Sequence, residues 1–204
     1  MNYKIQYITN QSRLSAGSFE SGEPATYTIH STGNLFSTAQ NERDNLQNNV
    51  GTTSFHSVVD DKEVIRCVPF TNRCWHAGDS TKKGGGNMSS LSLEICESGN
   101  RHQTLLNAIE VVANDLKELG WGVERLRQHY DWSKKNCPRI LRDTNLWEWF
   151  VSEVSKKMND IPEWSKESIQ WAKENKILCD DEHNLTLSEI KCLCYLHRYD
   201  KNVR

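Results

Sequence analysis

Residues 91–119 read LSLEICESGNRHQTLLNAIEVVANDLKEL, and two periods meet inside them. Over 91–96 polar and apolar residues alternate, as in a strand. Over 103–119 the residues Leu105, Ile109, Val112, Leu116 and Leu119 fall at i, i+4, i+7, i+11 and i+14, one face of a helix. Gly120 stands where a left-handed C-terminal cap is expected. Upstream, the β-branched runs 55–59 and 64–68 flank Asp60-Asp61-Lys62-Glu63 and predict a hairpin with an acidic turn. Between hairpin and strand, residues 79–90 carry Gly84, Gly85 and Gly86 and read as an exposed loop over a functional face. Further upstream, 38–50 predicts a helix with a thin apolar face. Residues 27–31 (YTIHS) are the first strand expected.

Downstream, 121–128 lead into a short stretch bearing His129, and 146–158 (LWEWFVSEVSKKM) form an amphipathic helix that closes the main domain. Asp160-Ile161-Pro162 marks a boundary, with Pro162 suited to the first turn of a new helix. Trp164, Ser168, Trp171 and Asn175 share one face there, with Ile161 nearby. A turn over 179–184 follows, and Thr186 with Glu189 makes a capping-box pattern before Leu187, Ile190, Leu193 and Cys194. Residues 160–204 therefore read as a small helical hairpin, which at that size needs to dock or oligomerise to be stable.

The whole chain has 204 residues, 36% hydrophobic, with seven Trp, six Tyr and five Phe. That supports one packed domain with a small appendage and excludes a wholly disordered chain. No apolar run is long enough to span a membrane. Residues 1–10 lack the apolar segment of a secretory signal. Twenty-five basic and 27 acidic residues leave a net charge of −2, without the basic footprint of a nucleic-acid binder. Seven Cys in such a chain point to mostly free thiols, with at least one available for a metal or for catalysis. Cys67 and Cys74 could pair across a loop, although a reducing compartment argues against it. Cys96 fits a strand core, and Cys192 and Cys194 diverge on a helix.

Several residues could carry chemistry, and each has a plain reading beside the functional one. His30 ends a strand and feeds the loop Ser31-Thr32-Gly33-Asn34; read alone, a His there is more often structural. His129 and Cys137 lie eight residues apart in HYDWSKKNCP, with Pro138 fixing the chain after the Cys. That spacing is too long for one helical face but suits two ligands on one folded loop. Two His and one thiolate are a suitable zinc set, with a fourth position left for water. Glu94 on LSLEIC is either a surface strand residue or a general base aimed at a metal-activated water, with Glu97 as its competitor. Lys135 is either a solvated loop residue or a cation placed to stabilise an oxyanion.

Five strings, in order, resemble one family. They are YTIHSTGN, TSFHSVVDDKEVIRCVPF, CWHAGD, NMSSLSLEICES and QHYDWSKKNCPRIL, spread over residues 22–158. Together they are similar to the zinc-dependent N-acetylmuramoyl-L-alanine amidases of type 2. That group includes phage endolysins, bacterial autolysins and animal peptidoglycan recognition proteins. The resemblance implies an α/β fold, a mixed central β-sheet flanked by helices, here with a small C-terminal helical module. It implies a catalytic domain over 1–158, with 160–204 serving wall targeting or self-association. His30, His129 and Cys137 would bind Zn2+, Glu94 would deprotonate the bound water, and Lys135 would assist the oxyanion. Some members carry a Tyr where this chain has Phe55, so Glu94 and Lys135 would carry more of the work. His56 would be substrate-facing or support the site, and Trp75 with His76 would line the cleft.

The implied reaction is cleavage of the amide between N-acetylmuramic acid and L-alanine in peptidoglycan. The expected setting is that of an endolysin or autolysin, made in the host cytoplasm without a signal peptide and acting on the wall after release. Neither nucleic acid nor membrane is an expected partner, and a homo-oligomer through the C-terminal module is possible. Two rivals stand beside this reading. One is a recognition protein that binds muropeptide without cleaving it; the other is a domain with a structural zinc, which needs a fourth ligand such as His56.

Overall fold

A computed structural model describes residues 1–19, 21–160, 163–178, 185 and 187–203. Six strands form one mixed sheet: β1 (Asn2–Ile5), β2 (Thr26–Ser31), β3 (Ser57–Val59), β4 (Glu63–Arg66), β5 (Ser90–Ile95) and β6 (Leu126–Gln128). Their spatial order is β1-β4-β3-β5-β2-β6. β3, β5, β2 and β6 run parallel, and β4 returns antiparallel beside β3 with β1 parallel to it. The expected hairpin is β3–β4. Its turn is held by the buried carboxylate of Asp60, whose Oδ1 accepts from the amides of Lys62 and Glu63. Asp60 Oδ2 also accepts from Ala39 N, at the start of helix α1 (Ala39–Asn48). Thr38 and Asn41 close a capping box on that helix.

Alternation along the central strands sorts the sheet into two faces. Tyr27 and Ile29 of β2, and Leu91, Leu93 and Ile95 of β5, enter one core with helices α3 (Arg101–Leu119) and α6 (Trp147–Asn159). Leu105, Ile109, Val112 and Leu116 are buried there and Leu119 packs at its margin, the face the 3.6-residue period expects. Asn100 caps the start of α3, and Gly120 ends it with a left-handed φ of 68°. Within this core, Tyr27 Oη donates to Asp115 Oδ2 and Arg66 Nη2 pairs with Asp115 Oδ1 at 2.6 Å, so the buried carboxylate is held at both oxygens.

On the opposite face, Val58 and Ile65 meet Leu46 of α1 in a second core with Ile8, Phe55, Cys67, Cys74 and Cys96. The three thiols are free and buried, so Cys67 and Cys74 form no disulfide. The middle of this face is polar yet buried. Thr28 and His30 of β2, with Ser90, Ser92 and Glu94 of β5, point into it. Central strands carrying such residues need a cover that satisfies them. Residues 72–89 and helix α4 (His129–Ser133) supply it.

Several expectations are corrected. β1 and β6, both at sheet edges, were not expected as strands. Residues 79–90 are exposed only in part, because Gly85, Gly86 and Asn87 are buried and 86–89 form the short helix α2 (Gly86–Ser89). The Asp79 carboxylate accepts from the amides of Gly86 and Asn87, and Asn87 Oδ1 accepts from those of His76 and Ala77. At Gly86 a Cβ would lie 2.5 Å from Ala77 Cβ, so only glycine fits.

At the C-terminal end, α7 (Lys166–Glu174) and α8 (Leu187–Val203) pack on each other around Ile169, Ala172, Ile190 and Leu193. The buried face of α7 is Ser168, Ile169 and Ala172. The expected face through Trp164, Trp171 and Asn175 is corrected: Trp164 is 56% exposed, Asn175 is exposed, and Trp171 stacks on His197 at the margin. Ile161, Pro162, the turn over 179–184 and Thr186 lie outside the described residues, as does the side chain of Leu187. No helix among the described residues is long and apolar enough to cross a membrane.

Candidate metal centre

His30 is the last but one residue of β2, and its Cα partner on parallel β5 is Glu94. β6 runs beside β2 and delivers His129 to the same edge of the sheet. This is the carboxyl end of four parallel strands, where open α/β sheets place their ligands. Cys137 reaches the same point after a left-handed turn at Lys134. Its carbonyl accepts from Tyr130 N and its sulfur lies 3.4 Å from Ser31 N.

Three donors converge. His30 Nδ1 lies 3.0 Å from His129 Nδ1 and 3.8 Å from Cys137 Sγ. All three ligand atoms fall within 4.8 Å of one another, and all three residues are buried. Such a cluster could hold a metal ion. Burial, reinforced by neighbouring His76, pulls the His30 imidazole well below its ordinary range; burial also takes His129 to about 4, with Lys135 adding to it. Both rings are therefore neutral and carry a lone pair. Burial pushes the Cys137 thiol up to about 12, and Glu94 adds to the effect. A buried thiol of this kind is a ligand in waiting, because a cation beside it is what favours the thiolate.

Glu94 Oε1 lies 3.9 Å from His30 Nδ1, and Oε2 is buried without a hydrogen-bond partner. Burial raises its carboxyl to about 8, with Glu42 contributing. Its competitor Glu97 is employed elsewhere. Both Glu97 oxygens take Arg139, at 2.6 to 2.9 Å, and Oε1 also takes Gly33 N. Although burial opposes it, the hydrogen bond from Arg139 holds Glu97 below the usual carboxylate range. This clamp ties the exit of β2 to α5 (Arg139–Arg142), which follows Cys137. Lys135 is exposed on the same loop, and its charge reaches His30, Glu94, His129 and Cys137.

His76 with Trp75 was expected to line the cleft, and His56 to face substrate or support the site; both histidines are buried. His76 lies behind His30: its Nδ1 is 2.9 Å from His30 Nε2, and its Nε2 is 3.1 Å from the Ser90 carbonyl. That carbonyl can only accept, so His76 carries its proton on Nε2. Neutral His76 then accepts at Nδ1, His30 must donate from Nε2, and the lone pair on His30 Nδ1 is left aimed at the cluster. His76 is thus the residue that fixes which nitrogen of His30 can ligate. His129 Nε2 faces the Ala77 carbonyl without closing a hydrogen bond to it.

His56 has no exposed surface. It is fastened at both ring nitrogens, by Ser92 Oγ at 2.9 Å and by the Asn72 carbonyl at 2.8 Å. It therefore supports the floor of the site and is neither substrate-facing nor a fourth ligand. Trp75 gives its Nε1 hydrogen to Ser15 Oγ. Phe55 packs in the second core. The role of His76 was missed because the string CWHAGD names the residue but not the face it presents.

The family model for N-acetylmuramoyl-L-alanine amidase matches residues 20–140. The chain belongs to this amidase family. The N-acetylmuramoyl-L-alanine amidase CwlA of Bacillus subtilis (strain 168) is 45% identical over 149 residues, which cover 70% of this chain and 54% of that protein. XlyB of the same organism, another N-acetylmuramoyl-L-alanine amidase, is 42% identical over 136 residues, 65% of this chain and 42% of that one. The chain thus spans about half the length of the curated relatives it matches. Among solved structures, the catalytic domain of XlyA matches with a TM-score of 0.68 at 30% identity, over 76% of this chain and 99% of that chain. The amidase match takes in His30, Glu94, His129 and Cys137, and ends before α6.

Proposed function

We propose that this chain is a zinc-dependent peptidoglycan hydrolase that cleaves the amide between N-acetylmuramic acid and L-alanine. The observation that carries the reading is the convergence of His30, His129 and Cys137 with Glu94 beside them. Zinc fits this donor set. Nitrogen ligands at about 2.0–2.1 Å and sulfur at about 2.3 Å give tetrahedral edges of about 3.3 Å and about 3.6 Å. The distances between donors here, 3.0 Å and 3.8 Å, lie close to those edges.

Bound by these three residues, zinc would supply a Lewis acid and lower the pKa of a water at its open position toward about 7. The remaining work falls to the protein. Burial alone would keep Glu94 protonated near neutral pH, and a cation held by the three donors would draw its pKa back down; the carboxylate then takes a proton at its unpartnered oxygen and returns it to the leaving amine of L-alanine. Lys135 places a positive charge where the scissile carbonyl becomes an oxyanion. No acyl-enzyme is required, so Cys137 serves as ligand and not as nucleophile. His76 holds His30 in the ligating tautomer. His76→Ala is expected to weaken zinc binding roughly 10- to 100-fold, measured by competition with a chelator of known affinity; unchanged affinity would remove the positioning role.

A non-catalytic recognition protein is less well supported, because the Cys137 thiol sits in the cluster and the Glu94 carboxylate lies beside it. A purely structural zinc is also less well supported, because only three donors converge among the described residues. Release of free L-alanine amino termini from purified walls by the zinc-loaded chain tests the reading. Zinc binding without any release from several wall types would favour recognition.

We assign catalysis to residues 1–158 and a separate role in wall action to the module over 160–204. A chain ended at 158 should hydrolyse soluble muropeptide as well as the full chain does but act more weakly on whole walls. Equal loss on both substrates would count against the module's role. We place the action at the wall after release from the host cytoplasm, in the manner of an endolysin or autolysin.

A further inference from the structure

Helix α8 is apolar on two sides. Ile190, Leu193 and Cys194 are buried towards α7. The other side carries Cys192, Tyr195, Leu196, Tyr199 and Val203. Tyr195 is 69% exposed, Tyr199 68%, Val203 65% and Leu196 44%. At 100° per residue these five positions fall in one stripe along the helix. Single exposed apolar residues are ordinary on a protein surface, whereas a contiguous stripe marks an interaction site.

We propose that this stripe pairs with the same stripe of a second copy of the chain, the two α8 helices lying parallel about a two-fold axis. Charge selects both occupant and orientation. On the helix, Lys191 and Arg198 border the stripe on one side, and Glu189 and Asp200 border it on the other. In a parallel two-fold pair each basic border faces the partner copy's acidic border. Lys191 then lies beside the partner copy's Glu189, and Arg198 beside its Asp200, each offset by only two residues, about 3 Å of rise; both carboxylates also have partners in their own chain, Asp200 Oδ2 accepting from Trp171 Nε1, so the complementarity is one of border charge. An antiparallel pair would set like charges together.

Area fits as well. Side chains of these sizes, exposed to this degree, offer roughly 400 Å² per copy. Pairing removes about twice that, less than the roughly 1,000 Å² of a stable specific interface, which suits a weak dimer that dissociates on dilution. Among the described residues the buried core of the α7–α8 module is Ile169, Ala172, Ile190 and Leu193, with Trp171, Leu178 and Leu185 packed against it, so a second copy also adds burial where the module has little.

The parallel arrangement brings Cys192, which is exposed and free, beside its own copy. The full chain is tested by sedimentation equilibrium from about 1 to about 200 μM. The expected weight-average mass rises from 23.5 kDa towards twice that value. Tyr195→Glu with Tyr199→Glu should hold it at the monomer. Lys191→Glu should weaken association about tenfold, and adding Glu189→Lys should restore it. These exposed charge changes keep the test valid if the double Tyr variant fails to fold.

Diamide should link the wild type into a disulfide dimer through Cys192, and Cys192→Ser should abolish the link. A monomer at the highest concentration would overturn the proposal. So would a charge reversal that Glu189→Lys fails to repair, or a dimer that diamide leaves unlinked. A monomer that binds purified walls through Tyr195 and Tyr199 would also overturn it and make a wall polymer the occupant.

Discussion

Cys137→Ser is expected to leave the chain without bound zinc and without amidase activity. The serine hydroxyl is harder and far less acidic than a thiol, and it gives the ion no soft anionic donor. Two neutral imidazoles would then have to hold a divalent cation at a buried point. Metal analysis should fall from about one zinc per chain to below about one tenth.

Thermal unfolding provides a second reading of the same event. A ligand present at about 1,000 times its dissociation constant stabilises the folded state by about 4.1 kcal/mol. For a chain of this size, each kcal/mol moves Tm by about 2–4 °C. Zinc should therefore raise the wild-type Tm by roughly 8–16 °C over the chelated protein, and should leave Cys137→Ser unmoved. A variant that keeps both its zinc and its Tm shift would show that Cys137 is no ligand.

Glu94→Gln separates metal binding from chemistry. The amide occupies the same space beside His30 but cannot accept a proton. Zinc content and Tm should stay at wild-type values, while hydrolysis of muropeptide should fall about 10²- to 10⁴-fold, the range of a lost general base. A loss of less than tenfold would move the proton transfer to another group. Glu97 is not that group, because Arg139 already holds both of its carboxylate oxygens. The pair of variants is informative together: one should abolish binding and chemistry, the other chemistry alone.

The central strands and long helices were legible because their side chains repeat with the period of the backbone. The alternation of LSLEIC and the 3.6-residue spacing of α3 report burial directly. β1 and β6 were not legible. NYKI lies exposed at one edge, and LRQ has three residues, so in each case pairing with a neighbour makes the strand.

The donor set was legible only once several strings were taken together, since the spacing of His129 and Cys137 suggests a pair but His30 lies 99 residues before His129. Their individual duties were less so. His56 and His76 are the same residue type in similar strings, yet one is locked to Ser92 and Asn72 and the other sets the tautomer of His30. Hydrogen-bond direction decides that, and it belongs to the fold. The face expected for α7 was right at Ser168 but missed Ile169 and Ala172, because Trp164 and Trp171 weigh heavily in any apolar count, while a residue as small as Ala172 lets α8 approach.

His30 and Cys137 are separated by 107 positions in the chain. They become neighbours only when β6, the last of the described strands in chain order, has docked beside β2. No nascent fragment ending before residue 137 holds all three donors. The donor cluster is therefore incomplete until the chain has been made as far as Cys137, an order of assembly written into the succession of the strands.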